Sequence, residues 1–176
     1  SPIVVGGAHD LGTKNRSEMY NSLYLVHEDG VFDKEVYDKM RLVPFGEHIP
    51  YFDLIPGVSQ LVAIGSFHEG RKQVVFEKDG MRFGGLICFE STFSSLGRGL
   101  VRSGAGLIVV ITNDAWYGLT AGAAHHHNLS ILRAIENRRH VARCANTGIS
   151  SIIAPSGKIT ATLSLGKQGI VEGMVS

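Results

Sequence analysis

Cysteine is scarce in this chain: Cys88 and Cys144 are the only two in 176 residues. No disulfide framework can be built from them, and no Cys/His spacing resembles a zinc site. An excess of one charge is missing as well, since 17 Lys and Arg stand against 16 Asp and Glu for a formal charge of +1. There is accordingly no basic stripe pointing to nucleic acid and no acidic tail pointing to disorder. Long hydrophobic runs are absent. The longest, Gly106 to Ile111, falls far short of the roughly 20 residues of a spanning helix. No signal-peptide pattern opens the chain either. Ser1-Pro2-Ile3 leads, without an initiating methionine, straight into a β-branched run, and the expectation is an excised piece of something longer. What is present, 44% hydrophobic residues with no repeat or linker, suits one domain over residues 1–176 with a real core.

Buried strands are expected at Pro2–Gly6 and Tyr20–Val26, with Glu28-Asp29-Gly30 turning into Val31-Phe32. Pro44 and Pro50 preclude a long helix and make Leu42–Pro50 a structured loop carrying Glu47 and His48. Pro56-Gly57 marks a further turn. Val74–Glu77 and Met81–Ile87 flank Asp79-Gly80, a strong hairpin signal. Leu107–Thr112 reads as a strand covered on both faces. A helix at Ala123–Arg139 would place Leu129, Leu132 and Ile135 inward. Strands follow at Val141–Ala145, Ile149–Ala154 and Ile159–Leu163, joined by Asn146-Thr147-Gly148 and Pro155-Ser156-Gly157. This order implies a mixed α/β sheet with helices on one face and a second sheet or a partner on the other.

The chemistry centres on Gly84-Gly85-Leu86-Ile87-Cys88-Phe89-Glu90-Ser91. An apolar strand ends in a thiol, a carboxylate and a hydroxyl, and Phe93, Leu96, Leu100 and Val101 then recur at helical spacing. Ser91 or Thr92 is positioned to cap that helix and Gly104 to close it. A thiol beside a helix N-terminus feels the positive end of the macrodipole, which favours thiolate; the competing reading is a small buried hydrophobe. Acyl transfer through a thioester needs a thiolate, a base and donors facing the oxyanion. Cys88 suits the first role. Lys39, following another strand, suits oxyanion stabilisation together with the Phe89 N–H, and Glu47 suits positioning the lysine or a substrate amine. The competing reading for both is solvated surface.

Consecutive residues on a helix point about 100° apart, so His125-His126-His127 do not converge on a metal; His126 is expected to face the core or the site loop. Trp116 and Tyr117 are candidates for lining a substrate cleft, with core packing as the alternative. Arg133 or Arg139 with Glu136 is spaced for a helix ion pair. Cys144 reads as an inert buried thiol.

Four motifs then occur in one order: Tyr37-x-Lys39-x-x-Leu42-Val43-Pro44-Phe45-Gly46-Glu47-x-x-Pro50, Ile87-Cys88-Phe89-Glu90, Asn113-Asp114-Ala115-Trp116-Tyr117-Gly118, and Arg133–Arg139 through Ala145-Asn146-Thr147-Gly148-Ile149-Ser150. Together they resemble the nitrilase-type domain of the bacterial apolipoprotein N-acyltransferase family. The resemblance implies a nitrilase-like α-β-β-α sandwich, incomplete at both ends, and ping-pong acyl transfer by a Glu-Lys-Cys triad without a cofactor. It implies Cys88 as nucleophile, Lys39 as the triad lysine, Glu47 as a further essential glutamate, and Phe89 and Glu90 in support. The partners it implies are a phospholipid acyl donor and a diacylglyceryl-apolipoprotein acceptor. The implied location is the periplasmic side of the bacterial inner membrane, anchored by transmembrane segments not in this chain. Two departures stand out. Phe89 replaces the family's usual tyrosine, and the triad glutamate falls upstream of Pro2, none of Glu18, Glu28 or Glu35 sitting in a matching motif. The isolated chain is therefore expected to be nearly inactive. A small-amide hydrolase and a non-catalytic scaffold remain as alternatives.

Overall fold

The computed structural model describes residues 1–13, 18–48, 67–118 and 120–175. Pro50 and the turn expected at Pro56-Gly57 lie outside them. The chain divides into two compact units, Ser1–Lys72 and Gln73–Ser176.

The first unit carries an antiparallel three-stranded sheet in the order β1 (Ile3–Asp10), β2 (Met19–Val26), β3 (Phe32–Asp38). Strand β2 supplies its core through Tyr20, Leu23 and Leu25, joined by Tyr37 of β3. The expected first strand exists, yet it is not buried: Ile3 is 58% exposed, and among the described residues β1 pairs with β2 alone, at the sheet's edge. Beyond β3 the ladder is prolonged by the Lys39 N–H, which donates to Asn21 O at 2.8 Å. The Pro44 loop is a tight structure, with the N–H groups of Gly46 and Glu47 both donating to Val43 O and Phe45 in the left-handed region at φ 61°.

The second unit is a six-stranded mixed sheet, β4 (Val75–Lys78), β5 (Met81–Ile87), β6 (Leu107–Asn113), β7 (His140–Asn146), β8 (Ser150–Ile153) and β9 (Ile159–Leu163), in that spatial order. The Asp79-Gly80 hairpin joins β4 to β5 as expected, with Lys78 paired to Met81. Strands β5, β6 and β7 run parallel, and parallel neighbours need a crossover. Helices α1 (Ser94–Arg102) and α2 (Ala121–Asn137) provide the two crossovers and touch each other, so they share one face of the sheet. Close packing of α1 uses Gly84 of β5, where an added Cβ would stand 2.5 Å from Leu100 Cδ2. Among the described residues no helix is long and apolar enough to cross a membrane.

Three expectations need correction. Helix α2 faces inward with Ala123, His126, His127, Ser130, Arg133 and Ala134, while Leu132 and Ile135 are 49% and 47% exposed. The buried polar groups have partners across the interface, and satisfying them overrides the leucine stripe. Cys144 is exposed rather than buried, because on β7 it is Val141 and Arg143 that point inward, and strand alternation turns Cys144 the other way. Neither Ser91 nor Thr92 caps α1. The N-cap is Phe93 and has no side-chain bond, while the hydroxyls of Ser91 and Thr92 donate to Cys88 O and Phe89 O within the preceding turn.

Candidate active site

Cys88 follows the last residue of β5 and opens a 3-10 turn, Cys88–Thr92. Its φ of 53° is left-handed, a conformation that costs a non-glycine residue on the order of 1 kcal/mol and persists only where surroundings impose it. The α-helix begins only at Ser94, so the thiol heads a short 3-10 turn rather than abutting an α-helix N-terminus, and the macrodipole argument for its activation does not apply as expected. The sulfur-bearing residue is half-buried.

Around it the turn is tied from several sides. Glu90 is fully buried, and its Oε2 accepts the Ile87 N–H at 2.9 Å. Phe89 packs edge-on against Phe93 at 5.1 Å between ring centres. Ser91 Oγ donates to Cys88 O at 3.0 Å. His126 Nε2 lies 2.9 Å from that hydroxyl and 3.0 Å from the same carbonyl. Arg133 Nη1 donates to Ser91 O at 3.2 Å and its guanidinium meets Glu136 at 2.6 Å, the helix ion pair anticipated from spacing.

Behind His126 lies a network that motif reading did not assemble. His126 Nδ1 is 2.8 Å from Asp114 Oδ1, and Arg143 Nη2 donates to Asp114 Oδ2 at 2.7 Å. Thr112 Oγ1 donates to Asp114 at 2.9 Å, and Arg143 also reaches Ser130 Oγ and Ile149 O. Burial pushes the Asp114 carboxyl up, but the His126 hydrogen bond and the Arg143 charge outweigh it and hold Asp114 below its usual range. An ionised carboxylate only accepts, so the hydrogen of the His126–Asp114 contact sits on Nδ1. The available signal was Arg143 itself, a charge amid the apolar residues of β7 that requires a buried partner.

Tyr117 ends the 3-10 turn Asp114–Tyr117, with its ring 5.8 Å from that of His126. Trp116 beside it is 80% exposed and so is not core. His127 turns the other way, 2.8 Å from Ser151 Oγ. The three consecutive histidines therefore diverge, and among the described residues no three His, Cys, Asp or Glu side chains are grouped to hold a metal.

In the first unit Lys39 and Glu47 meet. Lys39 is fully buried, and its Nζ donates to Glu47 Oε2 at 2.5 Å. Glu47 also accepts from Asn21 Nδ2 at 2.7 Å and from the Val43 N–H at 2.9 Å. Burial raises the Glu47 carboxyl, but Lys39 and the backbone donor overcome this and leave it below the usual value. A fully buried ammonium is not the solvated surface lysine that residue statistics favour. Asn21 is the member of this cluster that no motif pointed to.

Comparison with known proteins gives these positions a context. Apolipoprotein N-acyltransferase of Geobacter metallireducens is 43% identical over 139 residues, covering 78% of this chain and 27% of that protein. That of Rickettsia prowazekii is 32% identical over 180 residues, covering 98% of this chain and 35% of its own length. The chain thus spans roughly a quarter to a third of the curated relatives it matches, 27% and 35% for these two. Among solved structures, Nit3 of Saccharomyces cerevisiae, a nitrilase superfamily member, shares the fold with a TM-score of 0.66 at 22% identity, over 93% of this chain and 56% of that one. An amidase from Nesterenkonia sp. does so with a TM-score of 0.66 at 19% identity, over 93% of this chain and 57% of its own. The mixed α/β architecture is therefore nitrilase-like, as the motifs implied. The carbon-nitrogen hydrolase model matches residues 1–176, and the chain belongs to that family.

Proposed function

We propose that this chain is the catalytic domain of an apolipoprotein N-acyltransferase, with Cys88 as its nucleophile. The observation that carries the reading is a cysteine forced into a left-handed turn at the end of a parallel strand, in a chain 43% identical to a relative of that name. Such strand-to-helix elbows hold a nucleophile up to substrate. In the first half-reaction the Cys88 thiolate attacks an ester carbonyl of a phospholipid. The carbonyl electrons move onto oxygen, then return to expel the lysophospholipid alkoxide, which takes up a proton. The product is an acyl thioester on Cys88. In the second, the α-amine of a diacylglyceryl-cysteine at a lipoprotein N-terminus attacks the thioester, loses a proton, and expels the Cys88 thiolate.

In this reading Lys39 and the Phe89 N–H stabilise the oxyanion, and preorganised donors of this kind are worth about 10²–10³-fold each. Glu47 holds the Lys39 ammonium in place, Glu90 braces the turn, and Trp116 and Tyr117 contact substrate. The thiol proton goes to a glutamate that is not among the matched motifs of these 176 residues, so the chain alone acylates poorly, base assistance being worth about 10²–10⁴-fold. The reaction takes place at the periplasmic face of the inner membrane, where both lipid substrates are found.

The test is intact-mass analysis of the full-length protein incubated with phospholipid. The expected result is an acyl mass on the Cys88 peptide that disappears when a diacylglyceryl peptide amine is added and is absent in Cys88→Ala. Release of ammonia from small amides, with no acyl mass from phospholipid, would replace this reading with an amidase.

A further inference from the structure

A left-handed cysteine needs restraints, and here they come from α2. His126 and Arg133 are seven residues apart, two helical turns or about 10.5 Å. From there they reach opposite ends of the nucleophile turn, His126 at Cys88 O (3.0 Å) and Arg133 at Ser91 O (3.2 Å). His126 is anchored in turn, since Asp114 receives its Nδ1–H and is itself held by Arg143 and Thr112. Its contact with the Cys88 carbonyl then uses a second ring hydrogen, on Nε2, so His126 holds both acceptors as an imidazolium. A continuous chain of buried contacts therefore runs from β7 through the end of β6 to the carbonyl of Cys88.

That carbonyl belongs to the same peptide plane as the Phe89 N–H. In a trans peptide the two groups point in opposite directions, and the structure contains no cis bond among its described residues. Whatever holds Cys88 O therefore aims the Phe89 N–H. We propose that His126, with Ser91, is a positioning residue for acyl transfer. By holding the Cys88 carbonyl it fixes the direction in which the Phe89 N–H meets the oxyanion. The inference rests on the reading of Cys88 as nucleophile, and it adds a role for His126 that touches neither substrate nor sulfur.

The experiment compares two reactions of the same thiol in the full-length protein. Acyl-thioester formation from phospholipid builds an oxyanion; alkylation by iodoacetamide displaces iodide at a saturated carbon and builds none. Both are followed by mass at the Cys88 peptide, which separates it from exposed Cys144. His126→Ala is expected to slow single-turnover acylation by about 10²-fold, with KM within about threefold and alkylation within about threefold. His126→Gln, whose amide N–H can reach the same carbonyl, is expected to recover at least about tenfold of the loss. Should His126→Ala fail to fold, Ser91→Ala removes the other group on that carbonyl and is expected to slow acylation about tenfold with alkylation unchanged. Equal losses in both reactions, or no loss in either, overturn the positioning role while leaving Cys88 as nucleophile. Acyl transfer surviving in Cys88→Ala overturns the underlying reading, and the positioning role with it.

Discussion

Arg143 and Asp114 form an ion pair at 2.7 Å in which neither side chain has any exposure to solvent. Parallel pairing of β6 and β7 sets Arg143 beside Val110, four residues before Asp114, and the long arginine side chain reaches the carboxylate that opens the turn after β6. Removing one member of such a pair leaves an uncompensated buried charge, typically at about 3–5 kcal/mol. Arg143→Met is expected to destabilise the chain by that amount. Asp114→Leu combined with Arg143→Met is expected to cost less than the sum of the single changes, by about 1–3 kcal/mol. Denaturant unfolding of the four proteins in the cycle measures the coupling, and simple additivity would contradict it. Because the Asp114 carboxyl is depressed, its contribution is complete above the ordinary carboxylate range and is lost only as pH falls through the lowered value.

His127 makes an opposite kind of demand. Burial, reinforced by the charge of Arg143, pushes its imidazole down from 6.5 to about 4. Between those values the unfolded chain binds a proton that the folded chain refuses, so stability rises with pH across the window. It is fully present above 6.5 and declines toward pH 4, by on the order of 2–3 kcal/mol. His127→Gln, which keeps a partner for Ser151, is expected to flatten this part of the profile. Unfolding free energies at pH 4.5 and 7.5 decide the matter, and an unchanged slope in the variant would assign the effect to another group.

The Lys39–Glu47 pair predicts an asymmetry. Glu47 is 15% exposed and keeps two further donors, Asn21 and the Val43 N–H, if the ammonium is removed. Lys39 is fully buried, and Glu47 is its ion-pair partner. Glu47→Leu should therefore destabilise by about 3–5 kcal/mol, and Lys39→Met by at least about 1 kcal/mol less. Thermal unfolding of both variants under one buffer condition tests the order. The reverse order would mean that Lys39 is compensated elsewhere.

A steric prediction concerns Gly148. A Cβ built there would stand 2.8 Å from both Cβ and Cγ of Asp114, and that carboxylate is already fixed by Arg143, His126 and Thr112. Neither neighbour can yield cheaply, so Gly148→Ala is expected to cost about 1–3 kcal/mol. In the full-length protein acylation should fall further than stability alone explains, because the displaced carboxylate carries His126 with it. Matching losses in Tm and in rate across Gly148→Ala and a remote control of equal Tm would refute that link.

Local signals made much of the fold legible. The Asp79-Gly80 hairpin, the unbroken run of β6, and the cysteine at the end of β5 are consequences of turn chemistry and strand pattern, and all appear where expected. Lys39 directly after β3 and Glu47 on the Pro44 loop were also readable as candidates, though their 2.5 Å contact was not, since it depends on how the loop folds back. Two of the failures share one cause. Hydropathy assigns α2 its leucine stripe as the buried face, and Cys144 to the interior, because it weighs each residue alone. Asp114, His126 and Arg143 reach the interior only as a mutually satisfied set assembled from β6, α2 and β7, and no local window contains all three.

Helix α2 wears its grease outside and its salt inside. Rolling it by about half a turn would tuck Leu132 and Ile135 against the sheet, yet pull His126 off the Asp114 carboxylate and Arg133 off the nucleophile turn. Its angular setting is thus chosen by the buried hydrogen bonds of His126, Ser130 and Arg133 rather than by oiliness. A mutation that merely neutralised the interior would free the cylinder to spin toward the arrangement its own hydropathy prefers.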